Sequence, residues 1–181
     1  MPLLSVITVG HETLRKRAQE VVDFSDPKIQ TLIDDMISTM YEKDGIGLAA
    51  PQVDASVRIA VIVPDPTRFE EFKNKHEEAL VLINPVITNH SFFREEGEEG
   101  CLSVPGFIGT VKRWKSVTVS FLNRQGEKVT MKASGLLARV FQHEIDHLDG
   151  ILFIDKAEKV FKVEDPSSYA KEKRKDGLTN Y

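Results

Sequence analysis

Two histidines four residues apart, with a glutamate directly after the first, form the clearest chemical pattern in the chain: His143-Glu144-Ile145-Asp146-His147. Four residues are about one turn of an α-helix, so both imidazoles would lie on the same helical face. Two imidazoles on one face are typical of a metal site, and the adjacent carboxylate is typical of a general base. By chance the pattern would occur in on the order of 1% of shuffled chains of this composition.

A catalytic metal site of this kind needs a third protein ligand, and the sequence offers few candidates. A known extension of the pattern requires a histidine where this chain has Phe153. A downstream carboxylate, Glu164 or Glu172, would make the chain a zinc endopeptidase, although both lie in a charged tail. The upstream candidate is Cys101, the single cysteine, which cannot form an internal disulfide and is either a core thiol or a chemically active one.

A glycine-rich segment, Gly45-Ile46-Gly47-Leu48-Ala49-Ala50-Pro51-Gln52, allows two interpretations. It could cap a helix and form a tight turn, because glycine tolerates the backbone conformations that turns require. Alternatively, it could direct the side-chain amide of Gln52 into a cleft. The segment does not match a dinucleotide or phosphate loop, since the third glycine and a following Gly-Lys-Ser or Gly-Lys-Thr are missing.

Apolar periodicity predicts the elements that position these residues. Asp26 and Pro27 begin an amphipathic helix whose apolar stripe ends at Tyr41. A second helix carries the histidine pair, and Gly150 is placed to end it. Segments rich in β-branched residues predict strands at 58–63, 79–83, 117–122 and 128–132, with a hairpin turn at 123–126 and loops at 64–78 and 87–100.

These elements imply an α+β fold, with mainly antiparallel strands packed around a central metal-binding helix, an N-terminal amphipathic helix and a C-terminal tail or helix. A chain of 181 residues that is 41% hydrophobic can bury one core. We therefore expect a single domain over residues 1–181, with its core at about 5–155 and a C-terminal extension at 156–181.

Charge and hydropathy limit the partners that the chain could have. The net charge is −4, and acidic and basic residues alternate, which argues against DNA or general nucleic-acid binding. The sequence has no charged leader before an apolar run, and no segment approaches the ~20 apolar residues that span a bilayer. We expect a soluble cytoplasmic protein without a membrane partner.

The glycine-rich segment, Glu99-Gly100-Cys101-Leu102-Ser103 and Gln142-His143-Glu144-Ile145-Asp146-His147 resemble, in order and separation, the three signature motifs of peptide deformylase. The resemblance covers roughly residues 5–155. It implies a metal-dependent hydrolase that removes the formyl group from the N-terminal formyl-methionine of newly made polypeptides. A bacterial or an organellar source would fit equally well.

The resemblance assigns Cys101, His143 and His147 as ligands of one divalent metal ion. Family members most often use Fe(2+), and nickel, cobalt or zinc can substitute; thiolate and imidazole suit all four. Such a ligand set leaves the ion with one net positive charge, which acidifies a nearby water.

The resemblance also implies that Glu144 transfers the proton, and that Gln52 and the backbone N–H of Leu102 stabilise the oxyanion. The presence of Glu144 together with Gln52 and Cys101 argues against a purely structural zinc module or a relative that only binds.

The substrate backbone would lie extended beside Ile46 and Gly47, which suits an enzyme that must accept many nascent sequences. Selection for methionine needs an apolar pocket. Leu136 and Val140 are the candidates, with Ile46 at the rim, although core packing is as typical of Leu136 as a pocket role.

Three further positions complete the expectations from the sequence. Glu99 and Arg113 often pair in the family, which predicts a salt bridge that braces the Cys101 segment. Many members carry an arginine near the substrate path where this chain has Ile108, so this departure leaves the substrate contacts open. The basic run at 171–175 is either a solvated tail or a contact to the ribosome.

Overall fold

The strands of the chain form two sheets. The computed structural model describes residues 3–73, 75–164, 169 and 179–180. Within those residues the α-helices are α1 (Pro27–Glu42), α2 (Phe69–Phe72) and α3 (Gly135–Leu148). The strands are β1 (Gly47–Ala49), β2 (Ile59–Ile62), β3 (Leu80–His90), β4 (Arg94–Glu99), β5 (Phe107–Trp114), β6 (Ser116–Leu122), β7 (Lys128–Ser134), β8 (Ala157–Lys162) and β9 (Thr179–Asn180).

The first sheet has the strand order β1-β2-β3-β6-β7, and all neighbours are antiparallel. β1 forms one edge, where Gly47 lies opposite Ile62 of β2. The predicted hairpin joins β6 to β7, and its turn depends on Gly126, whose φ is 81°. The second sheet has the order β8-β5-β4-β9, in which β9 runs parallel to β4 and the other neighbours are antiparallel.

α1 begins as the sequence predicts. The Asp26 side chain accepts a hydrogen bond from a first-turn N–H, and Pro27 occupies a position where no N–H is needed. The apolar stripe is buried against β1 and β2. The chain leaves α1 through Asp44, whose φ is 55°, so the left-handed residue comes one position before Gly45.

α3 contacts strands of both sheets, which makes it the central element of the fold. It ends before Gly150, as predicted, with a φ of 77° at that glycine. A Cβ there would lie 2.8 Å from the backbone of Arg15, so the close approach also requires glycine. The α+β architecture with mainly antiparallel strands around this helix is confirmed.

The predicted loop at 87–100 is wrong, because β3 extends to His90 and β4 occupies Arg94–Glu99. β4 has almost no apolar side chain, and its inward position at Glu99 is filled by a buried carboxylate that is paired with arginine. An ion pair in place of an apolar residue removes the hydrophobic alternation by which strands are recognised.

The remaining differences concern short or irregular segments. The predicted loop at 64–78 contains α2 and two short 3₁₀ turns, and it buries Phe69 and Phe72 in the main core. β5 and β8 were not predicted at all, although β8 pairs with β5 in the second sheet. The predicted frayed helix of the tail and the basic run at 171–175 lie outside the described residues.

Candidate metal centre

The structure brings the three motifs together around one cluster of ligand atoms. Cys101 follows the end of β4, and the two histidines project from successive turns of α3. Cys101 Sγ lies 3.2 Å from His147 Nε2, and that nitrogen lies 3.2 Å from His143 Nε2. All three ligand atoms lie within 4.8 Å of one another, and all three residues are buried.

These side chains fit a divalent metal ion. Two nitrogens bound tetrahedrally at ~2.1 Å from one ion would be about 3.4 Å apart, close to the separation of the two imidazole nitrogens. Thiolate and imidazole are ligands of iron, nickel, cobalt and zinc. Three protein ligands leave a fourth position for water or substrate, as in catalytic sites.

Glu99 is the centre of a buried charge network beside these ligands. Its Oε1 accepts hydrogen bonds from Arg113 Nε at 2.8 Å and Arg139 Nη1 at 3.0 Å. Its Oε2 accepts from Arg113 Nη2 at 2.8 Å and lies 2.9 Å from His143 Nδ1. Burial alone would raise the pKa of Glu99, but Arg113 and His143 hold it well below its usual range. The predicted salt bridge between Glu99 and Arg113 is confirmed, and it orients a histidine of the cluster.

The network continues from Arg113 to the surface. Arg113 Nη1 donates to Asp146 Oδ2 at 2.5 Å, and Lys156 Nζ donates to Asp146 Oδ1 at 2.7 Å. Gln142 joins α3 to the end of β5. Its side chain accepts a hydrogen bond from the N–H of Trp114 and donates one to the carbonyl of Trp114, each at 3.0 Å. α3 is thus fixed to the second sheet by polar contacts.

The two imidazoles differ in their tendency to hold a proton. Burial lowers the pKa of His147, and the charge of His143 lowers it further. Burial also acts to lower the pKa of His143, but Cys101 and Glu99 raise it well above its usual range. A cation held by these residues would therefore have to displace the proton that His143 favours.

Glu144 is buried beside the ligand cluster with one free carboxylate oxygen. Its Oε2 has no hydrogen-bond partner in the part of the chain that the structure describes. Burial raises the pKa of Glu144 to about 7. The other side of the carboxylate packs on Gly47, where an added Cβ would overlap it and lie 2.8 Å from Cδ.

Gln52 lies in a buried 3₁₀ turn, and its amide points toward the cluster. Its Oε1 accepts from the N–H of Ala49 at 2.8 Å, so Nε2 is directed to Cys101 Sγ at 3.4 Å and to Ser103 Oγ at 3.3 Å. The amide of Gln52 therefore faces Cys101 and Ser103, which is the direction that the second interpretation of the glycine-rich segment requires. Leu102 follows Cys101 in a turn, and the hydrogen bonds of the described residues include no acceptor for its backbone N–H.

An extended N-terminal segment braces both turns. The N–H of Ile7 donates to the carbonyl of Gln52 at 2.8 Å, and the N–H of Val9 donates to the carbonyl of Ser103 at 2.8 Å. One piece of chain therefore fixes the Gln52 and Cys101 segments relative to each other.

The other candidate positions fall in different places. Ile46 and Val140 are buried in the main core and Leu136 is 8% exposed at its margin. Glu164 is exposed and lies outside the ligand cluster, whereas Glu172 lies outside the described residues. Ile108 is buried opposite Phe161 of β8.

Reasoning from the sequence did not find Arg139, which contacts Glu99 from within α3. The available signal was its position, four residues before His143 on a face that is otherwise apolar. An arginine on such a face must find a buried anion or carbonyl partners.

The fold and the site together define a metal-dependent hydrolase in which a thiolate and two imidazoles converge beside a buried carboxylate. The sequence profile of the family named polypeptide deformylase matches residues 3–162. The chain belongs to this family, and it removes the formyl group from the N-terminal methionine of newly synthesised proteins.

Individual relatives agree with this assignment. A peptide deformylase of Desulfitobacterium hafniense is 45% identical over 163 residues, covering 88% of this chain and 97% of that protein. A peptide deformylase of Halothermothrix orenii is 46% identical over 160 residues, with 88% and 97% covered. The crystal structure of the Thermotoga maritima peptide deformylase superimposes with a TM-score of 0.78 at 39% identity, covering 88% of this chain and all of that one (100%). None of the helices in the described part of this chain has the length and hydropathy of a membrane span.

Proposed function

We propose that Cys101, His143 and His147 hold the catalytic ion and that Glu144 moves the proton during deformylation. The observation that carries this proposal is the unpaired, buried oxygen of Glu144, whose carboxylate interacts electrostatically with His143 of the ligand cluster. A buried acceptor without a partner is costly, and it is retained where a water or a substrate proton completes it.

The proton balance of the reaction requires one group that both accepts and donates. When bound, the ion supplies a positive charge that acidifies water and polarises the formyl oxygen. Glu144 takes one proton as the water oxygen adds to the formyl carbon. It returns that proton to the nitrogen as the C–N bond breaks, so that formic acid and the free amine leave, and the acid's remaining proton passes to the amine or to solvent. Burial raises the pKa of Glu144 to about 7 in the protein without metal, and a bound cation would lower it from there.

Gln52 and Leu102 are the proposed oxyanion donors. The Gln52 amide is held by Ala49 so that Nε2 faces the site, and the Leu102 N–H follows the cysteine directly. Donors that are fixed before the reaction stabilise the charge on the formyl oxygen without reorganisation. Loss of one such donor typically costs about 10²–10³ in kcat.

We propose that the substrate adds as a strand to the edge formed by β1. The carbonyl of Ile46 accepts from the N–H of Val63, so Ile46 faces β2. Alternate residues point in opposite directions, which turns the N–H and carbonyl of Gly47 toward the open edge beside Glu144. The Acinetobacter baumannii relative, 37% identical with a TM-score of 0.76, was crystallised with Met-Ala-Ser bound. Leu136, Val140 and Ile46 are the proposed lining of the methionine pocket.

The proposed native ion is Fe(2+), with nickel, cobalt or zinc able to substitute. Iron is proposed because family members most often use it. The other three ions are included because thiolate and imidazole bind all four. An iron-thiolate centre with an open position is exposed to oxygen and peroxide. We expect activity with iron to be lost in air.

We further propose a single domain that works in the cytoplasm on chains emerging from ribosomes. α3 packs on strands of both sheets, so the two sheets share one helix. The basic run at 171–175 is the proposed ribosome contact, because its positive charge complements the phosphates of ribosomal RNA.

The decisive experiment measures formate release under anaerobic conditions from a formyl-Met peptide and from its acetyl counterpart. Wild type loaded with iron or nickel should release formate and spare the acetyl peptide. Glu144→Gln should keep the metal and lose about 10²–10⁴ of the rate, and Cys101→Ala should lose the metal.

Exposed Glu96→Gln, on the neighbouring strand β4, is the matched control and should behave as wild type. An aliquot of the protein as purified, without metal exchange, is held in air to test the native ion; full activity after that treatment would count against iron. Absence of formate release by wild type loaded with iron or nickel would refute the proposal.

A further inference from the structure

We propose that Arg139 is a positioning residue of the metal centre, which acts through Glu99 on His143, and that Gly97 is the position that makes room for it. This inference rests on the ligand set proposed above, but not on the proposed role of Glu144.

Arg139 is 5% exposed, and acceptors enclose its guanidinium. Nη1 donates to Glu99 Oε1 at 3.0 Å and to the carbonyl of Val111 at 2.9 Å, and Nη2 donates to the carbonyl of Glu95 at 3.0 Å. A fourth acceptor, the carbonyl of Gly97, lies 3.5 Å from Nη1. One side chain of α3 therefore joins the helix to β4 and β5 at the point where the ligand segment begins.

Gly97 matches this arrangement by its lack of a side chain. A Cβ at Gly97 would lie 2.6 Å from Cζ and Nη2 of Arg139 and 2.9 Å from Nε. Those atoms belong to a flexible side chain, but their hydrogen bonds fix them. Because side chains alternate along a strand, Gly97 and Glu99 share one face of β4, the face that receives the guanidinium.

The effect on the metal centre follows from the donors around Glu99. With Arg139 in place, each carboxylate oxygen accepts two hydrogen bonds, and the oxygen that faces His143 is fixed in position. Without Arg139, Oε1 keeps only Arg113, so the carboxylate can rotate and carries more negative charge toward His143 Nδ1. The imidazole then changes both its direction and its basicity at Nε2, the atom that would bind the ion.

Arg58 provides a matched control. It is also buried, at 4% exposure, and it also binds α3, through the carbonyl of Leu148 at 3.1 Å and Asp149 Oδ1 at 2.7 Å. It lies at the opposite end of the helix from Arg139 and has no hydrogen bond to Glu99 among the described residues. Loss of Arg58 therefore shows the stability cost of removing a buried arginine that contacts α3 but does not touch the proposed metal ligands.

The test uses cobalt(II) as the probe and needs no substrate. The visible absorption of the cobalt-loaded full chain and its cobalt dissociation constant, from competition with a chelator, are compared for wild type, Arg139→Met and Arg58→Met. We expect Arg139→Met to shift the absorption bands and to weaken cobalt binding about 10–100-fold. Arg58→Met should lower thermal stability and leave the bands unchanged.

The second arm tests the role of Gly97. Gly97→Ala should shift the bands in the wild-type background and have little further effect in the Arg139→Met background. If Arg139→Met does not fold, Arg139→Lys replaces it and should show a smaller shift in the same direction. Unchanged bands and affinity in the Arg139 variant, equal changes in the Arg58 variant, or additive effects of Gly97→Ala would each overturn the proposal. Failure of cobalt to bind wild type would instead refute the proposed ligand set.

Discussion

At the scale of single residues, the position of Glu144 depends on the absence of a side chain at Gly47. The carboxylate lies so close to the Gly47 Cα that an added methyl group would overlap it. The same glycine lies on the open strand edge, so its size affects both Glu144, the proposed proton-transfer group, and the proposed path of the substrate.

Gly47→Ala should displace the Glu144 carboxylate while the ligand cluster stays intact. A misplacement of about 1 Å can cost on the order of 10² in rate, so we expect kcat/KM for a formyl-Met peptide to fall by about that factor with metal content unchanged. Gly45→Ala is the control, because its Cβ would meet neighbours only at 3.3 and 3.4 Å. Equal losses in both variants would show that the effect comes from the segment as a whole.

The raised pKa of Glu144 also predicts how the metal-free protein responds to pH. Burial keeps the folded carboxyl protonated up to about pH 7, whereas the unfolded chain ionises near 4.5. The folded state therefore holds the extra proton between these values, and Glu144 contributes less stability as the pH rises through that window. The difference amounts to about 3 kcal/mol.

Urea unfolding of metal-free wild type and Glu144→Gln at pH 4.5 and 7.5 measures this effect. Relative to the variant, wild type should lose stability at the higher pH. A constant difference between the two proteins would mean that the folded carboxyl titrates normally.

The histidine pair, the cysteine and the glutamine could be found from the sequence because their types and spacing are tied to chemistry. Arg139 could not, because its partners are backbone carbonyls and a carboxylate on strands that are distant in sequence. Only the register of β4 against β5 and the packing of α3 bring those acceptors to one point.

At the scale of elements, hydrophobic pattern predicted α1, α3 and four strands of the first sheet, because each buries an apolar face in the main core. β4 was missed for the opposite reason. Its inward positions carry Gly97 and Glu99, and they are stabilised by guanidinium groups rather than by apolar contact. The element that supports the proposed metal ligands is therefore the one that hydropathy describes least well.

The role of the N-terminal segment was also missed by reasoning from side-chain patterns. Its hydrogen bonds to Gln52 and Ser103 are made by backbone groups, so no side-chain pattern announces them. The sequence offered no functional interpretation of residues 3–9, yet they connect the two segments that would provide the oxyanion donors.

At the scale of the whole molecule, the second sheet has β8 at one edge and β9 at the other, so the basic run is tested by substitution, because a truncation would also remove β9. A chain with Gln in place of Lys171, Lys173, Arg174 and Lys175 should keep full activity on short formyl-Met peptides. If the basic run contacts ribosomes, the substituted chain should no longer co-sediment with them at low salt. Unchanged co-sedimentation would remove the ribosome from the proposed role of the tail, whereas lost activity would assign the tail to the fold.

The α+β class was predictable because it follows from the two helices and the hairpin. The division of the strands into two sheets was not, because it depends on where β3 ends and β4 begins, and that junction lies in the segment predicted as a loop.

Cys101 is the only thiol in the 181 residues. With that thiol proposed as a metal ligand, every thiol-directed alkylating reagent addresses a single coordination position. When the protein holds an ion, the Cys101 thiol is protected from reagents. When it holds none, the thiol can be alkylated or oxidised. The mass of the intact protein after labelling would then give the fraction of molecules that hold metal, with no engineered tag and no competing site.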